Sequence, residues 1–270
     1  MKKRFLLPCL LLVSSLTACG GGSGGGLVTG GKQYKEGDAA NVDSAVKAQK
    51  EDSIKKVILD EKVDFSYKLS AQGQSYSMTE KVDGRATIDI DAKTIEGAFK
   101  FSGSTGGQKQ NESVNFKVQR NDNGYYETVS GNYEIAFNED SLEEIFDMAY
   151  YTVYSWNFSS ENGLVAQMAE SAEGYGSEIE AFMREIIANM VISGDPATGT
   201  FDVGLGKAVK LDYQGINFSF NKMKYSYKDC YLKNVVLGLK GSGSYSYGGQ
   251  SASISISETV EANYSYEFRA

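Results

Sequence analysis

The sequence predicts an α+β fold: a large curved antiparallel sheet, a half-barrel of about 11–12 strands, packed on a few central helices. Three observations predict it. Apolar and polar residues alternate with period two through residues 62–137 and again through 198–268. The stretch between them shows helical spacing behind two capping boxes. The chain has 30 glycines and only 2 prolines, so its turns fall to Gly, Asn and Asp.

The amino-terminal end is read first. Lys2, Lys3 and Arg4 precede an apolar run over residues 5–13 that small residues close, the pattern of a secretory signal. The run is shorter than the roughly 20 apolar residues that a membrane-spanning helix needs. It leads through Leu16, Thr17 and Ala18 into Cys19, and this stretch resembles the lipobox of bacterial lipoproteins. The resemblance implies that lipoprotein-processing enzymes cut residues 1–18 away and that Cys19 is the lipidation site. Its acyl chains, palmitate-like, then hold the protein on a membrane. It implies an extracytoplasmic place, anchored to the cell membrane, or to the outer membrane of a host that has one. Residues 20–26 are glycine except for Ser23 and form a flexible coil, so residues 19–38 read as a tether.

A single domain is expected over residues 39–270. Residues 42–59 carry a weak helical pattern through Val42, Val46, Ile54, Val57 and Ile58. Strands then follow at Phe65, Tyr67 and Leu69, at Tyr76 and Met78, at Ile88 and Ile90, at Phe99 and Phe101, and at Val114, Phe116 and Val118. The breaks "AQGQS", "DIDAKT" and "GSTGGQKQN" read as the turns of a meander. "RNDNGYY" has the look of a calcium loop but lacks its first and last acids, and reads as another turn. A helical insert over about residues 139–192 follows, opened by Ser141 with Glu144 and again by Ser177 with Glu180. Its second helix places Ile179, Phe182, Met183, Ile186, Ile187 and Met190 on one stripe. After Thr198 about six more strands complete the chain.

Composition excludes more than it suggests. Without Lys2, Lys3 and Arg4 the balance is 24 basic against 35 acidic residues, a net −11, which disfavours nucleic acid as a partner. The chain has no histidine, so histidine triads and imidazole metal sites are absent. Once Cys9 leaves with the signal and Cys19 is acylated, Cys230 is the remaining thiol, read as a half-buried strand cysteine. "GLGK" at 204–207 lacks the rest of a phosphate loop and reads as a kink. The acids at 139, 140, 143, 144 and 147 suit a helix start better than a hydrolytic pair. No cofactor, no metal and no catalysis are expected.

Binding is the remaining class. "YYTVYSWNF" holds Tyr150, Tyr151, Tyr154, Trp156 and Phe158, and it reads either as core with phenol tips at the water or as the aromatic wall of a pocket for a lipid or sugar. The repeated aromatic-Ser-aromatic triplets at 65, 218, 225, 245 and 264 place their aromatics on one face and serine on the other. They read as strand grammar or as a Tyr/Ser surface for a protein or polysaccharide partner. Lys222, Lys224, Lys228 and Lys233 suggest a guarded edge strand. The order helix, strands, helices, strands over residues 42–268 resembles the LolA/LolB and LppX/LprG half-barrel carriers. That resemblance implies an apolar cavity between sheet and helices that holds a lipid or another hydrophobic ligand. The alternative is a surface interaction or structural lipoprotein with a packed interior.

Overall fold

The computed structural model describes residues 26–35, 38, 41, 44, 53–137, 177–213, 215–247 and 250–270. Within them the chain forms β1 (Lys32–Gln33), β2 (Ile54–Ala71), β3 (Gln74–Asp89), β4 (Thr94–Thr105), β5 (Gln108–Arg120), β6 (Tyr126–Gly131) and β7 (Ala136–Phe137). Then come α1 (Ser177–Ala188), β8 (Met190–Asp195), β9 (Thr200–Leu205), β10 (Val209–Tyr213), β11 (Ile216–Lys228), β12 (Tyr231–Tyr247) and β13 (Gln250–Phe268). All 13 strands belong to one sheet in the order β1-β8-β9-β11-β12-β13-β2-β3-β4-β5-β6-β7, with β10 on β11 beside β9. Every ladder is antiparallel, and β1 and β7 do not pair, so the sheet is open.

This corrects the α+β expectation. The described chain is nearly all antiparallel sheet and is not packed on central helices. The 12-residue α1 lies at one end, where Phe182 meets Phe220 edge to face at 6.3 Å and Ile186 enters the core. It stops at Ala188 instead of running on to Met190, because Met190 opens a β-branched stretch that pairs with β9 from Leu205 to Thr200. Ile54 to Leu59, expected to be helical, are strand for a similar reason: β13 and β3 pair with this stretch on its two sides, and that long-range pairing overrides a weak local pattern.

The hairpins follow their turn residues. Gln72-Gly73, Gly106-Gly107 and Asp229-Cys230 form two-residue loops with positive φ at both positions, the twist that long antiparallel strands favour. In "RNDNGYY" the Asn121 side chain accepts from the amides of Asn123 and Tyr125 at 3.0 Å, which makes the segment a turn as expected. β9 ends at Leu205, inside "GLGK", and β10 begins at Val209. Residues 26–35 lie against this part of the sheet. The Val28 amide donates to Leu205 and Gly26 accepts from Met223, while Lys32 and Gln33 pair with β8. Residues 26–35 thus pack on the sheet, while residues 1–25, with residues 16–19 and most of the glycine run, lie outside the described residues.

Register gives the sheet two faces. Ile192, Val203, Tyr225, Val235, Ala262, Glu61, Gly84, Phe99 and Val114 stand directly opposite one another in one row across nine strands, so they share a face. The rows beside it are apolar too. They build one cluster on β8 to β13 with α1, against which Leu59 of β2 also packs, and a second on β3 to β6. The reverse face is polar. Arg85 grips Asp60 across the ladder through two bonds of 2.6 and 2.7 Å, and Lys81–Asp64, Lys117–Glu96 and Lys56–Glu267 pairs repeat the pattern.

Candidate functional site

The residues singled out for binding, Tyr150, Tyr151, Tyr154, Trp156 and Phe158, and Cys19, expected to be lipidated, lie outside the described residues. The lysines do not guard an edge: Lys222, Lys224 and Lys228 stand on β11, which is paired on both sides. Lys233 occupies a bulge opposite the Ser226/Tyr227 step, with its ammonium 4.8 Å from the centre of the Tyr266 ring. Cys230 is half-buried but sits in the β11–β12 turn, at φ 67°, and not in a strand. Burial, with Asp229 beside it, pushes its thiol up, away from a reactive thiolate. Among the described residues no three acidic or thiol side chains gather into a metal site.

The two apolar clusters leave a seam between them on β13, β2 and β3. Near the hairpin ends of these strands Phe65, Tyr67, Leu69, Met78, Ile254 and Ile256 are half-buried, and Tyr76 is 44% exposed with its ring 6.4 Å from that of Tyr67. The apolar face is therefore reachable at this end. Farther along β2 stands Glu61, 6% exposed, in the row between Ala262 and Gly84. Gly84 is a local requirement: the Phe99 ring fills the space where its side chain would be, and so leans over β3 toward Glu61. Burial pushes the Glu61 carboxyl up to about 7. No hydrogen bond or ion pair holds it among the described residues.

Two more carboxylates share this face. Glu258 stands opposite Phe65, and Phe65 stands opposite Glu80, so one half-buried row carries two acids around a phenylalanine. Burial raises Glu258 as well. On the neighbouring cluster burial holds the Tyr225 and Tyr227 phenols well above their usual range, with Tyr264 close to both. The Tyr227 hydroxyl is buried without a hydrogen-bond partner. The Glu61 carboxyl and the Tyr227 hydroxyl thus stand on a largely apolar floor without a hydrogen-bond partner among the described residues.

A separate open groove of about 640 Å³ lies at the β1 edge, lined by Val28, Thr29, Gln33, Asn189 and Lys207 among others. Its mixed backbone and polar lining does not suit an apolar ligand.

Glu61 was legible and missed. The strand was read from Lys62 onward, yet extending the alternation of Phe65, Tyr67 and Leu69 backward puts Glu61 on the same stripe as Val57, Leu59 and Val63. Glu258 interrupts Ile254, Ile256, Val260 and Ala262 in the same way.

No family model and no curated protein matches the chain. Among solved structures it is similar to a β-barrel-like protein of the domain of unknown function DUF1849 from Brucella abortus. That match has 9% identity over 79% of this chain and 98% of that one, at a TM-score of 0.21. The translocator domain of the autotransporter NalP from Neisseria meningitidis matches at 4% identity, over 84% and 95%, with a TM-score of 0.17. MucB in complex with MucA(peri) matches at 8% identity, over 83% and 94%, with a TM-score of 0.11. At such scores none of these transfers a fold or a function, and the architecture rests on the strand ladders themselves.

Proposed function

We propose that the protein is a lipid-anchored extracytoplasmic lipoprotein that binds a hydrophobic ligand, without catalysis, on the apolar face of its sheet. One observation supports this most. A sheet of 13 strands carries one largely apolar face, and on it the half-buried Phe65, Tyr67, Leu69, Met78, Ile254 and Ile256 belong to neither packed cluster. The lipobox supports the anchor, and the aromatic stretch at 150–158 supplies further apolar surface in sequence. No described helix is long and apolar enough to cross a membrane.

Native mass spectrometry followed by organic extraction tests the binding. A stoichiometric adduct that extracts as an apolar molecule is the expected result. A clean apo mass that stays apo after incubation with phospholipid and fatty acid would sink the reading. It would favour the interaction protein instead, whose surface is the polar face, where Ser242, Ser244, Ser253 and Ser255 form facing hydroxyl pairs on β12 and β13. Incorporation of an alkynyl palmitate label, lost on Cys19→Ala, tests the anchor.

A further inference from the structure

We infer that the ligand of the apolar face carries one cationic head, an amine or quaternary ammonium on a hydrophobic body, and that Glu61 receives it. The inference rests on the binding reading above and deepens it.

Glu61 stands at the middle of the sheet, on the seam between the two clusters. A carboxylate withdrawn from water is strongly disfavoured unless a cation or hydrogen-bond donors replace that water. Among the described residues no cation stands beside it. In the regular rows of β11, β12, β13, β2, β3 and β4 the charged residues on this face are Glu61, Glu80 and Glu258, all acids. The bulged Lys233 is held over Tyr266, whose ladder position is four residues along β13 from Ala262, the partner of Glu61. Residues 138–176, aromatic and rich in acids, contain no lysine or arginine. The other titratable groups facing the seam are the phenols of Tyr67, Tyr76, Tyr225, Tyr227 and Tyr264, which add no positive charge.

An anionic amphiphile meets three like charges on this face, and a neutral one leaves Glu61 unpaired. A cationic head neutralises the carboxylate while its tail covers Phe65, Tyr67, Leu69, Ile254 and Ile256, and aromatic rings bind ammonium groups through their faces.

The test titrates the full-length chain, carrying Cys19→Ser to remove the acylation site, with three probes of equal tail length: dodecyltrimethylammonium, laurate and dodecyl maltoside, each below its micelle concentration. Calorimetry at about pH 8, where Glu61 is ionised, is expected to show the ammonium binding at least about tenfold tighter than the other two. Glu61→Gln is expected to erase that preference while dodecyl maltoside binding persists. Glu61→Gln keeps the size of the side chain, and Glu258→Gln, with a smaller loss of preference, is the second variant. Equal binding of all three probes, tighter laurate, or a preference that survives Glu61→Gln overturns the cationic head and leaves the binding reading standing. Failure of all three probes to bind overturns both.

Discussion

Glu61 shows how one residue in the wrong stripe changes the behaviour of a sheet. Its carboxyl is raised to about 7 by burial, so between about pH 4.5 and 7 the folded chain holds a proton that the unfolded chain has lost. Stability linked to this group is full below the unfolded value and is lost as pH rises through about 7, the reverse of a salt-bridged carboxylate. Glu61→Gln is therefore expected to raise the unfolding free energy by about 2–3 kcal/mol at pH 8 and to change it little at pH 4.5, read by urea denaturation at the two pH values. The opposite sign at pH 8 would mean that a cation is already bound to the carboxylate. Gly199 is a second such point: its φ of 73° and the Cys230 sulfur packed against it leave no room for a side chain.

At the scale of elements, α1 shows what local sequence can and cannot settle. Ser177 with Glu180 and the apolar spacing that follows mark a helix from sequence alone. Its end is set by β9, which pairs with Met190 and the residues after it. Because Ile186 is 1% exposed and Phe182 rests on Phe220, Ile186→Ala is expected to cost about 2–5 kcal/mol by leaving a cavity, measured as a shift in denaturation midpoint. The strands behave likewise: their apolar pairs are visible, but Tyr76, Met78 and Ile88 belong to a single β3, with Ile90 in the turn just beyond it. Glu80 and Gly84 on the apolar stripe broke the pattern between them, and both are tolerated only because neighbours from β2 and β4 fill or line the space. The lysines at 222–233 looked like edge guards because periodicity reports a face and says nothing about what pairs alongside.

The whole molecule depends on one ladder. β2 and β13 pair along almost their full lengths, from Ala252 with Ala71 to Phe268 with Ile54, and join the strands that follow α1 to the meander that precedes it. Contacts of such sequence separation form late and slowly. Removing residues 250–270 is expected to abolish the single cooperative unfolding transition, since neither half then has a partner for its inner strand. Circular dichroism with urea reads this, and a retained cooperative transition would show the halves to be independent.

The sequence by itself determined the absence of histidine, the turns and the alternation that makes strands, and it supplied the signal-like start and Cys19 on which the proposed anchor rests. These are local properties, set by side chains a few residues apart. Only the tertiary structure decided that the described strands form a single open sheet with no described helix packed at its centre, that residues 26–35 dock on it, and that Glu61 stands buried at its seam. Those depend on which strands pair across two hundred residues of chain, and period-two patterns are compatible with many pairings until the ladder fixes one.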